Sequence, residues 1–487
     1  MKKTMRLGFI FGLLSVSSLT FATDLMQVYQ DAFNNNPTFL AAKSTALSTI
    51  QNVPITRAGL LPQANFVATD GFNNFDNNSK SINTIPLPNG NTFTLEGQEG
   101  NFRYNQQSYT LSASQPIFDF ANLFTYTSAK SSAKAASATF NAALQSLIVT
   151  TAQAYFAVLQ AEDSLTYAQA EKQAYNESLT QAQQKFEVGL IAITDVEQAR
   201  AQYDGAVAAE LAAENGVLNA KENLRSVTGI YYDHLASLRN NAAPLLRPDP
   251  VNMDKWVQIA DKQNWTLIAA RETADAAHKT EQAAQAGHLP VLSGVANYTV
   301  NTTGTSPSGQ VNTRDAYAGV QLTVPIFENG VGFVSATAKQ AAYNYQTAIQ
   351  QRNSTYLSTV TTARQSFNNV MSFISQVEAD KQTIKSSQVA LESIIDGYEV
   401  GTETMLDVLN QQQILYNAWN TYSVDQYSYI NSTIALKQAA GTLSPVDLQR
   451  INTWLTEQRA PFTNNVYTTN NEGSIPRTSL AGTGGKH

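Results

Sequence analysis

Acidic residues set just after two glycine turns are the side chains of this chain whose type and spacing could do chemistry, and that chemistry is electrostatic. Phe186-Glu187-Val188-Gly189 leads into Thr194-Asp195-Val196-Glu197, and Tyr398-Glu399-Val400-Gly401 leads into Thr404-Met405-Leu406-Asp407, 212 residues later. Thr-x-x-Glu and Thr-x-x-Asp are capping-box spacings, in which a hydroxyl and a carboxylate satisfy the free N–H groups of a helix start, and acids are favoured there by the helix dipole. Capping is therefore the expected main role of Asp195 and Glu197. Catalysis finds no comparable footing. The four histidines, His234, His278, His288 and His487, show no zinc spacing, and no glycine fingerprint separates a strand from a helix. Gly482-Thr483-Gly484-Gly485-Lys486-His487 mimics a phosphate loop without its Ser/Thr or its helix. No catalytic residue, cofactor or metal ligand is assigned, so any active transport involving this chain must draw its energy from another protein.

The turns belong to a repeat. Gly59-Leu60-Leu61-Pro62 recurs as Gly287-His288-Leu289-Pro290, Gln115-Pro116-Ile117-Phe118 as Val324-Pro325-Ile326-Phe327, and Leu224 to Gly229 as Leu436 to Gly441. Between the repeated segments run proline-free stretches, from about Ala121 to Val188 and from about Gly330 to Val400, each of which would span roughly 100 Å as a helix at 1.5 Å per residue. Their apolar seams alternate three and four, as in coiled coils. One runs Val158, Ala161, Leu165, Ala168, Lys172, Tyr175, Leu179, Ala182, Phe186, and the other Val370, Phe373, Val377, Asp380, Ile384, Ser387, Leu391, Ile394, Tyr398. Returning helices continue the pattern from Val196 to Leu224 and from Val408 to Leu436, with alanines that allow close approach. Shorter helices are expected over Asp24 to Gly59 and Met253 to Gly287.

Four segments alternate with period two. Ala64, Phe66 and Ala68 oppose Gln63, Asn65 and Thr69; Tyr109, Leu111 and Ala113 oppose Thr110, Ser112 and Ser114; the third and fourth segments follow suit around Tyr298 and Val320. Alternation alone fits a half-buried soluble sheet as well as a membrane barrel. The intervening stretches Asn73 to Asn101 and Asn301 to Arg314 read as long polar loops, and Pro62, Pro116, Pro290 and Pro325 are expected at the boundaries of strand and helix, which favours the barrel. Four strands cannot close one, and an open edge is not tolerated in lipid, so a barrel must be shared between chains.

Only 14% of the 487 residues are charged, and there is no cysteine, which excludes disulfides, thiol chemistry and lipid attachment through cysteine. Met1 to Ala22 reads as a secretory signal peptide. Its removal takes three of the 31 basic residues and none of the 38 acidic ones, moving the balance from −7 to −10 and arguing against nucleic acid as a partner. Beyond it no run of 18 apolar residues occurs, so no membrane-spanning helix is expected. The expected organisation is a signal peptide (1–22), a first repeat (23–230) with strands near 62–76 and 102–116, a linker (231–251), a second repeat (252–442) with strands near 289–301 and 315–327, and an irregular tail (443–487), disordered from Thr463.

These features together resemble the TolC-type outer-membrane efflux proteins over roughly Asp24 to Gln449. The resemblance implies an α+β fold of two internal repeats: an α-barrel of long coiled-coil helices, and a trimeric twelve-stranded transmembrane β-barrel with four strands per chain. The 231–251 linker would fall in its equatorial region. It implies a homotrimer in the outer membrane with a large periplasmic extension, acting as a passive exit duct for an inner-membrane pump or ABC secretion transporter recruited through a periplasmic adaptor. By the same resemblance Asp407 lines the closed end, where three carboxylates around the axis would repel one another, raise a pKa and favour cations. Asn410 stands where a second acid is common. Thr194, Asp195, Tyr398 and Glu403 occupy the latch positions, Glu403 in place of an arginine, so it is expected to repel Asp195 while Tyr398 hydrogen-bonds it, with Lys185 or Arg200 as substitute partners. A trimeric surface stalk with a shared barrel anchor is the alternative; it would carry one strand block per chain, whereas here the strands form two separated hairpins.

Overall fold

The computed structural model of the chain describes residues 22–77, 82–88, 90–96, 100–306, 309–326, 330–457 and 462. The expected signal peptide, apart from Ala22, lies outside the described residues, as do Phe327 and the segment from Thr463 onward. In chain order the elements are α1 (Leu25–Asn35), α2 (Pro37–Ile50), α3 (Asn52–Ala58), β1 (Gln63–Asn77), β2 (Ile82–Pro86), β3 (Thr92–Glu96), β4 (Gly100–Phe118), α4 (Phe120–Glu187), α5 (Ile193–Thr228), β5 (Ser237–Leu238), α6 (Met253–Gln263), α7 (Trp265–Ala286), β6 (Val291–Ser306), β7 (Gly309–Thr323), α8 (Phe333–Val400), α9 (Met405–Ala439), α10 (Pro445–Asn452) and β8 (Leu455–Thr456). They fall into two compact units that cut across the sequence repeats: residues 1–41, 142–264 and 359–487 form one, and 42–141 with 265–358 the other.

The second unit holds the sheet, antiparallel in the order β1-β4-β6-β7. Its register lines up the faces read from the sequence: Phe66 pairs with Leu111, Leu111 with Tyr298 and Tyr298 with Ala316, while Asn65, Ser112, Asn297 and Tyr317 form the neighbouring polar row. The apolar rows are bare. Phe66 is 66% exposed, Val320 65% and Leu322 63%, far from what a sheet covered by a core would show. Among the described residues neither β1 nor β7 has a strand partner on its outer edge.

Several expectations need correction here. The two long loops are mostly strand. β1 and β4 reach Asn77 and Gly100, with the β2–β3 hairpin between them, and β6 and β7 reach Ser306 and Gly309, since Asn and Thr in the outer pairs still complete the ladder. Pro62 and Pro290 stand immediately before β1 and β6 as expected. Pro116 instead lies within β4 at a register shift, a bulge that tolerates its missing N–H, and Pro325 lies two residues beyond β7.

The helices are long because α4 and α8 lack proline, and within the first unit they pack along continuous seams. Every residue of the Val158–Phe186 and Val370–Tyr398 seams is buried or half-buried except Phe186, which lies at the tip, 42% exposed. Fully buried leucines such as Leu391 and Leu415 stabilise by about 2 kcal/mol each. Polar seam positions meet across the hairpins: Lys172 pairs with Glu210, and Asp380 faces Asp425. By length and composition α4 contains a window apolar enough to cross a bilayer, contrary to expectation, because averaging tolerates the Gln, Ser and Thr that interrupt an apolar run. That window is 56% buried within the protein, as a core helix would be.

The short helices are both broken, the first at Asn36 and again at Gln51, the second at Asn264. Both asparagines leave the helix with extended backbone, and each donates its side-chain amide to the end of a returning helix, Asn36 to the Val227 carbonyl and Asn264 to that of Ala439, both at 2.9 Å. Pro37 then opens α2, where a missing N–H costs nothing. The tail is likewise not irregular throughout. Ser444 and Asp447 form a capping box that starts α10, and β8 pairs with β5 of the linker, so residues far apart in sequence close one small sheet.

Candidate functional site

Both helix turns lie in the first unit, and their backbones are built alike. In α4 the Leu190 N–H donates to the Lys185 carbonyl and that of Gly189 to Phe186; in α8 Thr402 donates to Gly397 and Gly401 to Tyr398. Gly189 and Gly401 adopt φ of 76° and 83°, the left-handed conformation that glycine enters without strain, which ends each helix and turns the chain back. At the tips Val188, Leu190 and Val400 are 70%, 73% and 77% exposed.

The starts of the returning helices differ, and the difference separates the two acids. α9 is capped by Thr404, whose hydroxyl accepts from the Asp407 N–H while the Asp407 carboxylate accepts from the Thr404 N–H at 3.0 Å and hydroxyl at 2.5 Å. These donors hold the Asp407 carboxyl below its ordinary range, the hydroxyl contributing most. The expected upward shift belongs to a three-carboxylate ring; within one chain the cap pushes the other way. In the first repeat the capping box expected at Thr194 is absent. α5 begins at Ile193 with Ala192 at the cap position, extended and without a side-chain acceptor, so Thr194 already lies inside the first turn. Asp195 keeps its place in that turn, favourable to the dipole, with no threonine at the cap to engage it.

Tyr398 packs against the core that joins the hairpins, but its hydroxyl is buried with no hydrogen-bond partner among the described residues, so the expected bond to Asp195 is not made. Burial and, next, the Asp195 charge raise the phenol's pKa. The ring is held from its face: Lys185 Nζ sits 3.8 Å from the ring centroid, a cation–π contact linking α4 to α8. Arg200 instead lies 3.3 Å from Glu197 on its own helix. Glu403, expected opposite Asp195, folds over Gly397, where a Cβ would come within 2.6 Å of its Cγ, and adjoins Asp407. Since the Tyr398 hydroxyl is an unsatisfied buried group, Tyr398→Phe is expected to leave closed-state conductance unchanged and thermal stability equal or higher, whereas Lys185→Met raises conductance. A leak in Tyr398→Phe as large as that in Lys185→Met would show that the hydroxyl, and not the ring, does the holding.

Asp380 of the α8 seam and Asp425 of α9, within the returning seam, face each other in one layer. Burial, then the Asp425 charge and a hydrogen bond with it, lift the Asp380 pKa from 3.8 to about 6. A carboxyl whose folded pKa stands above its unfolded one stabilises below the unfolded value and loses that stabilisation as pH rises through the folded one. Between those two values the thermal midpoint of the wild type should therefore fall relative to that of Asp380→Asn, the difference levelling off above about pH 6. Parallel pH profiles would remove the acid pair from the account. Among the described residues no group of three or more His, Cys, Asp or Glu side chains could hold a metal.

Long helical hairpins with duplicated turns, joined in one chain to an open antiparallel sheet with a bare apolar face, define a channel protein of the outer-membrane efflux type. The chain matches the outer membrane efflux protein family over residues 28–230 and 256–442 and belongs to it. It is 35% identical to the outer membrane protein TolC of Escherichia coli K12, covering 94% of this chain and 90% of the relative. It is 28% identical to the alkaline protease secretion protein AprF of Pseudomonas aeruginosa, over 92% of this chain and 91% of that one. Among solved structures, the Campylobacter jejuni CmeC outer membrane channel superposes with a TM-score of 0.70 at 19% identity, covering 88% of this chain and 89% of that one, which shows a shared fold. The chain is thus an outer membrane exit duct, and the surface-stalk alternative is not favoured.

Proposed function

We propose that three copies of the chain join β1 of one to β7 of the next, closing a twelve-stranded barrel in the outer membrane above a periplasmic cylinder of helices. The observation that carries this is the sheet: four strands, two open edges and an apolar face left bare. Lipid would cover that face, and edge pairing would satisfy backbone groups that hydrocarbon cannot. In the trimer Asp407, with the exposed Asn410 one turn on, would line the closed constriction, and Thr194, Asp195, Tyr398 and Glu403, all close to the helix turns in sequence, would form its latch. The exposed Val188, Leu190 and Val400 suit docking of a periplasmic adaptor, which would bring an inner-membrane pump or an ABC secretion transporter as the energy source. The likeness to a protease secretion protein supports protein as one class of cargo.

Single-channel recording of the detergent-extracted protein in a planar bilayer tests the duct. A cation-selective pore from a species that chemical cross-linking shows to be trimeric is the expected result. Insertion without conductance, combined with protease shaving of whole cells that removes the helices, would replace the duct by a surface stalk.

A further inference from the structure

Six residues beyond the end of β8, Phe462 rests on the helices. Its ring stands edge-on to Tyr167 of α4 at 5.2 Å and to Trp419 of α9 at 5.3 Å and 88°. Tyr167 and Trp419 themselves meet at 6.1 Å with their planes tilted by 32°, so they form an open wedge, which Phe462 fills; Tyr422 closes the far side of Trp419 at 6.3 Å. Tyr167 is left only 6% exposed. The Trp419 Nε1–H is buried and has no hydrogen-bond partner among the described residues, which leaves a donor at the wedge for a backbone carbonyl.

The wedge lies on the joint between the first hairpin and the second. One turn before Tyr167, Asp163 accepts from the hydroxyls of Ser423 and Tyr427 at 2.9 Å, and Ser164 donates to Asn420 at 2.8 Å. Eleven residues further along α4 the Gln412 amide donates to Ser178 at 3.0 Å. Polar pairs therefore hold α4 to α9 on either side of the aromatic contact, and at the rings themselves the third partner is Phe462. Edge-to-face aromatic contacts and burial of a phenylalanine are together strong enough to matter at one joint and weak enough to be reversed.

We propose that the Tyr167–Trp419 wedge is the docking site of Phe462 from the chain's own C-terminal segment, and that this seated ring acts as a releasable strap clamping the first helical hairpin to the second. The occupant is fixed by covalent continuity and by the seated ring itself: Phe462 lies five residues beyond Glu457, which follows β8 directly. Any effect of the strap on conduction rests on the reading of the hairpins as a gate, so the test reads the joint separately from the pore.

Amide hydrogen exchange is compared in the intact protein, in Phe462→Ala, in Phe462→Leu and in a chain ending at Glu457. Exchange around residues 160–170 and 415–425 should rise several-fold in Phe462→Ala and in the shortened chain, less in Phe462→Leu, and stay unchanged at the tip around Met405 to Leu409. Unchanged exchange at the joint in both Phe462→Ala and the shortened chain would overturn the strap. Raised exchange with a higher closed-state conductance links the strap to the gate; raised exchange with unaltered conductance keeps the strap and counts against the hairpins as the gate.

Discussion

Asp407→Asn is expected to relieve block of the closed channel by trivalent cations, raising the half-blocking concentration on the order of a hundredfold, because in the proposed trimer three carboxylates about a narrow axis would act together on one ion. Asparagine is the informative replacement. Its side-chain oxygen can still accept the Thr404 N–H that Asp407 accepts at 3.0 Å, so the α9 cap persists while the charge goes. Asn410→Asp should do the opposite, adding a second ring of carboxylates one turn on and tightening the block. Thr404→Ala separates position from charge in a third way. Removing the hydroxyl that holds the Asp407 carboxyl below its ordinary range should move the pH at which cation selectivity fades upward, without loss of block near neutrality. The sign follows from a depressed pKa: the ionised form survives as pH falls through the ordinary range and is lost only below it. Block of Asp407→Asn as strong as that of the wild type would remove Asp407 from the constriction.

The second large effect is expected at Gly441, and its repeat partner supplies the control. Both Gly229 and Gly441 follow a returning helix with φ near +75°. A Cβ on Gly229 would meet only the Asn35 Cβ at 3.7 Å, an ordinary contact, so Gly229→Ala should cost about 1–2 kcal/mol for the left-handed backbone alone. On Gly441 it would lie 2.0 Å from the Gln263 carbonyl oxygen and 2.4 Å from its carbon. Backbone cannot swing aside as a side chain can, and the Asn264 bond to Ala439 pins the same junction. Gly441→Ala should therefore cost at least about 3 kcal/mol, or prevent accumulation in the membrane altogether. Thermal midpoints of the detergent-extracted variants decide the matter. Equal losses at the two glycines would mean that the close approach between α6 and the end of α9 contributes nothing.

Much of this architecture was legible before any coordinates. The seams from Val158 and from Val370 came from spacing, and all but Phe186 are covered. The strand faces also held, with Phe66, Leu111 and Tyr298 in one row. The resemblance to the efflux family was carried by these repeats and by the Val-Gly turns, and the family match spans both copies. Errors gathered where an offset of a residue or two decides the outcome. Thr194 looks like a cap by spacing, but the equivalent of Thr404 is Ala192, and helix initiation follows the turn that Gly189 and Gly401 build rather than the nearest threonine. The loops were misjudged for a related reason: Asn and Thr signal turns in isolation, yet in β1 and β6 they sit opposite partners that complete a ladder.

The duplication, the helical periods, the alternation of the strands and the glycines that turn the chain can all be read along the chain, because each is a local pattern that the backbone imposes. Which side chains meet across the hairpins comes from the packed fold: Lys185 on the face of Tyr398, Asp380 against Asp425, and Phe462 between Tyr167 and Trp419. Those contacts join residues from about 40 to more than 290 positions apart, and their energies depend on burial and on distances of a few ångströms, which no periodicity along the chain encodes.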